Sequence, residues 1–182
     1  MLTLLLSLPG VGKVREQVSV RYGWHGIVRT YTIDVVVRLR NGRRVAYAVK
    51  RSERELLRDD TIAIIEAIAA EHGARVADEY RTVTYETLDP VALENAKLIL
   101  ACGRDHDSAG QRLVREILAD LGQTVSLREI AEASGLGGRG VRAAIALIQS
   151  GILMPPRGQH LALDLPLENR GIPGSATGNH SR

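Results

Sequence analysis

Asp34 and Lys50 are the residues whose types and spacing most directly suggest chemistry, with fifteen residues between them. A carboxylate can hold a divalent ion, and a lysine ammonium can orient a nucleophilic water or steady a developing negative charge. Hydrolysis of a phosphodiester usually takes two carboxylates around the metal. An Asp and a Lys on neighbouring strands can equally form a plain cross-strand ion pair. The elements that carry the two side chains decide whether they can meet at all.

Residues 29–54, RTYTIDVVVRLRNGRRVAYAVKRSER, read as a β-hairpin with Asn41-Gly42 at the turn. A two-residue Asn41-Gly42 loop would place Asp34 opposite Val49 and send Lys50 through the other face. A three-residue loop, Arg40-Asn41-Gly42 with Gly42 in the left-handed conformation, places Asp34 opposite Ala48 instead. Asp34, Ala48 and Lys50 then share one face, with a small gap at Ala48. Val35, Val37, Leu39, Val45, Tyr47 and Val49 form the apolar stripe on the other face. The better stripe selects the three-residue loop.

The 182 residues suit one domain or two small ones. Phe is absent and aromatic residues make up only 3%, so the core must be built from Leu, Ile, Val and Ala. The net charge is +3, and from Arg38 to Arg58 eight Lys or Arg stand against two Glu. Arg43, Arg44, Arg51 and Arg54 are the candidate phosphate contacts in this cluster. A charged hairpin edge that resists strand-to-strand association has the same composition. One cysteine, Cys102, cannot form an intrachain disulfide, and the five His show no metal-ligand spacing. No apolar run reaches membrane-spanning length, and MLTLLLSLPG lacks a basic leader, so a cytoplasmic chain without a membrane partner is expected.

In chain order, residues 2–8 read as the end of a helix stopped by Pro9-Gly10, and residues 14–22 read as a strand. After the hairpin, one helix is expected over 53–72, capped by Ser52 and ended by Gly73. A strand at 81–85 follows, then a helix opened by Asp89-Pro90 and running to about Ala101. This places a first domain at 1–101 and a linker at 102–110. A second domain, 111–165, begins with a helix. Ser126 and Glu129 form a capping box, and helix, tight turn and second helix follow. Segments 151–153 and 161–163 flank a Pro155-Pro156-Arg157-Gly158 tip that reads as a wing, and 166–182 read as a disordered tail.

The LLLSLPGV helix end, Val14-Arg15-Glu16-Gln17, Arg29-Thr30-Tyr31-Thr32-Ile33-Asp34, the Gly turn and Ala48-Val49-Lys50 together resemble the N-terminal domain of TnsA-type transposon endonucleases. These belong to the PD-(D/E)xK restriction-like superfamily. The resemblance implies an α/β fold, with a restriction-endonuclease-like mixed sheet flanked by helices and a small winged-helix-like domain after it. It implies Mg²⁺ at Asp34, with Lys50 orienting water, and Glu16 and Gln17 in support. It also implies DNA as substrate, with a DDE-type transposase subunit and a transposition ATPase as partners. Two features depart from the family pattern: Ala48 stands where a ligand residue is expected, and the helix-borne Glu of the family would fall before Met1. Glu53 or Glu55, one turn from Lys50, could be a migrated carboxylate; both also suit the dipole of a helix N-terminus. Glu16 reads equally as a surface charge at a strand end.

In the second domain, Arg139 and Arg142 start the helix that would meet DNA, and Arg157 sits at the wing tip. The same surface could instead dock a protein, as the resembling family does with its ATPase.

Overall fold

The computed structural model describes residues 1–171 and divides into two units. The first comprises Met1–Leu6 and Gly10–Leu88; the second comprises Ser7–Pro9 and the chain from Asp89 onward. The boundary falls at Leu88, not at 101, because Ile99 and Cys102 are buried in the core of the second unit. The stretch 102–110, expected to be a linker, lies inside the second unit at the turn between two of its helices.

The first unit is mixed α/β. Helix α1 (Leu2–Ser7) precedes β1 (Val11–Trp24), β2 (Ile27–Leu39) and β3 (Arg44–Lys50). Helices α2 (Glu53–Arg58) and α3 (Thr61–His72) follow, and β4 (Glu79–Thr84) completes the sheet. The strand order is β1-β2-β3-β4; the first two pairings are antiparallel and β3–β4 is parallel. The β2–β3 register runs Val35↔Tyr47, Val36↔Ala46, Val37↔Val45 and Arg38↔Arg44, which is the register of the three-residue loop. The Leu39 and Arg43 backbones close that loop at 2.8 Å, and Gly42 takes φ 89°.

Both faces of the sheet are covered. Val35 and Val37 pack with Leu5 of α1, while Ile33, Val36, Ala46 and Ala48 pack with Ile65 and Ile68 of α3. Ile33 and Val36 share a face although three residues apart, so the alternation slips between them. Gln17, opposite this slip, has φ 53°. Ala48 is 0% exposed. The gap expected there is core, filled against α3.

The single helix expected over 53–72 is two. Ser52 caps α2 as expected, accepting from the Glu55 N–H at 3.3 Å. Asp60 then adopts φ 50°, which breaks the helix before α3 begins, and Gly73 ends α3. Apolar spacing carries through such a break, so periodicity cannot show it.

In the second unit, α4 (Pro90–Gly103), α5 (Ser108–Leu118), α6 (Leu127–Ser134) and α7 (Gly138–Gln149) enclose Val114, Leu118, Ile130, Ala144 and Leu147. The Ser126–Glu129 capping box is formed. Strands β5 (Thr124–Val125), β6 (Leu153–Met154) and β7 (Leu167–Asn169) make a small sheet in the order β5-β7-β6. The return strand is therefore β7, not 161–163. Leu167 is fully buried, and the buried Asn169 amide donates to the Leu118 and Gly122 carbonyls. The tail expected to be disordered from 166 is thus ordered at least to 171, and the rest of it lies outside the described residues. Among the described residues no helix is long and apolar enough to cross a membrane.

No atom lies within 4 Å of a Cβ built on Gly42. Gly42→Ala should therefore cost about 1–2 kcal/mol through the left-handed backbone alone. Gly42→Asn should cost less, because Asn tolerates that conformation. Urea unfolding of the two variants, followed by circular dichroism, measures the difference.

Candidate functional site

Strand β3 leaves β2 beyond the Val35↔Tyr47 pair and continues beside β4, with Ala48, Val49 and Lys50 opposite Thr82, Val83 and Thr84. Where the strands part, the Val49 N–H has no backbone acceptor on β2. Asp34 supplies one: its Oδ2 accepts from Val49 N at 2.7 Å. Asp34 Oδ1 receives a long, weak contact from the Gln17 amide at 3.5 Å. The parting opens a cleft of about 370 Å³, whose lining includes Glu16, Gln17, Asp34, Lys50, Arg51 and Glu55. The hairpin register and the divergence of β3 together bring Asp34 and Lys50 into one cleft.

The two do not pair with each other. Lys50 Nζ donates to Asp59 Oδ2 at 2.9 Å, across the helix break. The Arg58 guanidinium and then Lys50 hold the Asp59 carboxyl down at about 2. Beside them, burial first and then the Asp34 and Asp59 carboxylates push the Tyr31 phenol up to about 12, so it stays protonated. Sequence reasoning missed Asp59 and Tyr31. Asp59 had no signal, because a continuous helix would have pointed it elsewhere. Tyr31 lies three residues before Asp34 on the same strand and could have been found.

The other predicted residues fall in several places. Glu16 and Gln17 reach the cleft. Of the two alternative carboxylates, Glu55 lines it and accepts from the Arg51 N–H at 3.1 Å. Glu53 does not; it borders a separate depression with Leu56, Leu57 and Ile62, and its N–H donates to Glu86. The two differ because residues two apart on a helix point away from each other. Arg43 pairs with Glu79 at 2.8 Å, and Arg44 donates to the Ala74 and Arg75 carbonyls and lies 3.8 Å from Asp78. Arg51 borders the cleft, and Arg54 is exposed.

The restriction-like resemblance implies Mg²⁺ at Asp34. Among the described residues no three His, Cys, Asp or Glu side chains come together as a metal cage. Mg²⁺ demands near-octahedral oxygen coordination. Here Ala48 offers no ligand, Asp34 already serves the Val49 amide, and Lys50 is committed to Asp59. The residues present do not by themselves fit a Mg²⁺ site.

In the second unit, Arg139 meets both oxygens of Asp107 at 2.8 Å, and Arg142 meets Asp105 Oδ2 at 2.5–2.6 Å. Both arginines expected to face DNA are therefore tied to the 104–107 turn. Arg157 stands exposed in the loop between β6 and β7. No protein-family model matches the chain, and no curated protein matches it either.

Asp107 also caps α5 through the Gly110 N–H. Arg139 first, and then that N–H, lower its carboxyl to about 2. A depressed carboxyl stabilises the fold above its unfolded pKa of about 4, and that contribution is lost as pH falls toward about 2. Asp107→Asn keeps a capping oxygen but removes the charge. Its deficit in thermal midpoint should be constant above pH 5 and shrink steadily toward pH 2, as read by thermal melts across that range.

Proposed function

We propose that this chain is a TnsA-like subunit of a heteromeric transposase that acts on DNA at transposon ends. In this reading the first unit is a restriction-endonuclease-like domain and the second is a winged-helix-like domain. The partners are a DDE-type transposase subunit and a transposition ATPase. The observation that carries the reading is the cleft where β3 parts from β2, with Asp34 and Lys50 on adjacent strands in the order helix-strand-strand-strand-helix-helix-strand. A carboxylate and an ammonium in one cleft at the edge of a mixed sheet support a restriction-like reading. Phosphodiester hydrolysis is the activity assigned, with Asp34 and Lys50 as its residues. Because the residues present do not complete a Mg²⁺ site, no metal-dependent step is drawn from them.

A second reading has its own observations. Ala48 is sealed in the core and Lys50 is held by Asp59, which suits a nuclease fold that binds DNA or docks partners without cutting. One assay separates the two readings. The full chain is incubated with supercoiled plasmid and Mg²⁺ or Mn²⁺, with and without the transposase and ATPase. Endonuclease function predicts nicking that falls at least about a hundredfold in Lys50→Ala and in Asp34→Asn. Asp34→Asn is preferred to Ala because it keeps an oxygen for the Val49 N–H, whose loss would cost about 1–3 kcal/mol. Nicking unchanged in both variants refutes the site. Absence of nicking under every condition, with DNA binding that weakens as salt rises, establishes the non-cutting reading.

A further inference from the structure

A second concave surface of the first unit shares no lining residue with the Asp34–Lys50 cleft. It is a groove of about 590 Å³ with Lys13, Arg15, Arg21, Arg38, Arg44 and Arg75 around an apolar floor of Val18, Val20, Val36 and Val76. No carboxylate lines it. Lys13 lies opposite Arg38 across β1–β2, and Arg38 lies opposite Arg44 across β2–β3. Three cations therefore form one row over three strands, a span of about 10 Å at the usual strand spacing. Like charges placed directly opposite each other destabilise a sheet. Arg44 is relieved by Asp78 and by backbone carbonyls. The side chains of Lys13, Arg15, Arg21 and Arg38 make no ion pair with the described residues.

We propose that this groove is a second nucleic-acid contact, binding the sugar-phosphate backbone of duplex DNA away from the cleft. Lys13 and Arg38, the members of that row without a carboxylate partner, gain by meeting a polyanion. Lys13 and Arg15, two residues apart, share this face and carry the cationic edge along β1 by about 7 Å, and a duplex carries one phosphate per about 1.7 Å of its axis. The lining holds no Tyr or Trp, and its one aromatic ring, His72, is tied to the Arg21 carbonyl at 2.6 Å, so it offers a poor platform for the stacked bases of a single strand. Contacts of this kind position DNA without reading its sequence.

The proposal rests on the DNA reading above, and the experiment separates the two. Binding of the full chain to a fluorescein-labelled duplex of arbitrary sequence is measured by anisotropy over a series of salt concentrations. Each phosphate contact contributes about 0.9 to the slope of log affinity against log salt. Lys13→Gln with Arg38→Gln should make that slope shallower by about 2. Arg112→Gln with Arg115→Gln, an equal charge loss on α5, should leave it unchanged. The groove pair should also melt at or above the wild-type temperature, because repulsion is removed. If the groove pair binds with the wild-type slope, the groove is refuted and the DNA reading stands. If the wild-type chain binds no duplex, the DNA reading falls and the groove falls with it. If polyglutamate of matched charge competes as well as unlabelled duplex, the surface takes acidic protein and the proposal is overturned.

Discussion

One hydrogen bond marks the place on which the first unit depends, the Asp34 carboxylate accepting from the Val49 amide. Strand β3 must serve two neighbours, antiparallel β2 and parallel β4, and it cannot follow both to its end. Where it turns away from β2, a backbone donor would be left without an acceptor, and a buried orphan of that kind is costly. A carboxylate on the first β2 position past the last β2–β3 pair fills the need. The acid that chemistry would use is therefore also a structural acceptor. Lys50 shows the same economy, since the ammonium that would face a substrate closes the helix break through Asp59. Any function at this cleft must displace or share these contacts.

What was legible in the sequence was local. The Asn41-Gly42 turn and the apolar stripe of Val35, Val37 and Leu39 set the hairpin register, because a slip by one residue would turn every buried side chain outward. Ser52, Asp89-Pro90 and Ser126 with Glu129 marked helix starts, because a capping oxygen sits within three residues of the amide it serves. What was not legible was what distance along the chain conceals. The carboxylates that take Arg43, Arg139 and Arg142 lie 36, 32 and 37 residues away from them. Ala48 looked like a gap because α3, which covers it, could not be placed. The β7 strand hid in a polar tail because its burial depends on two residues, Leu167 and Asn169, and on an amide that carries its own hydrogen bonds inward.

The pairing of the arginines changes where DNA would be met. A cationic side chain already bidentate to a carboxylate must break that pair before it meets a phosphate, and an exposed pair of this kind is worth little in water. Arg139 and Arg142 are therefore already partnered. They are available to a ligand that competes with Asp105 and Asp107, and quiet without one. Arg15, Arg21 and Arg38 carry no such competitor. A count of basic residues along the sequence ranks the two groups alike, and only the fold distinguishes them.

The same contrast explains why a small sheet tolerates a row of like charges. The cost of opposing Lys13, Arg38 and Arg44 falls on two exposed positions and on a half-buried Arg44 that Asp78 relieves, so water, salt and a counter-charge hold it to a fraction of what it would be in the core. The stability of the unit comes from both buried faces, Ile33, Val36 and Ala46 under α3 and Val35 and Val37 under α1, which are independent of those charges. A sheet covered on both sides can carry surface repulsion that a half-exposed sheet could not.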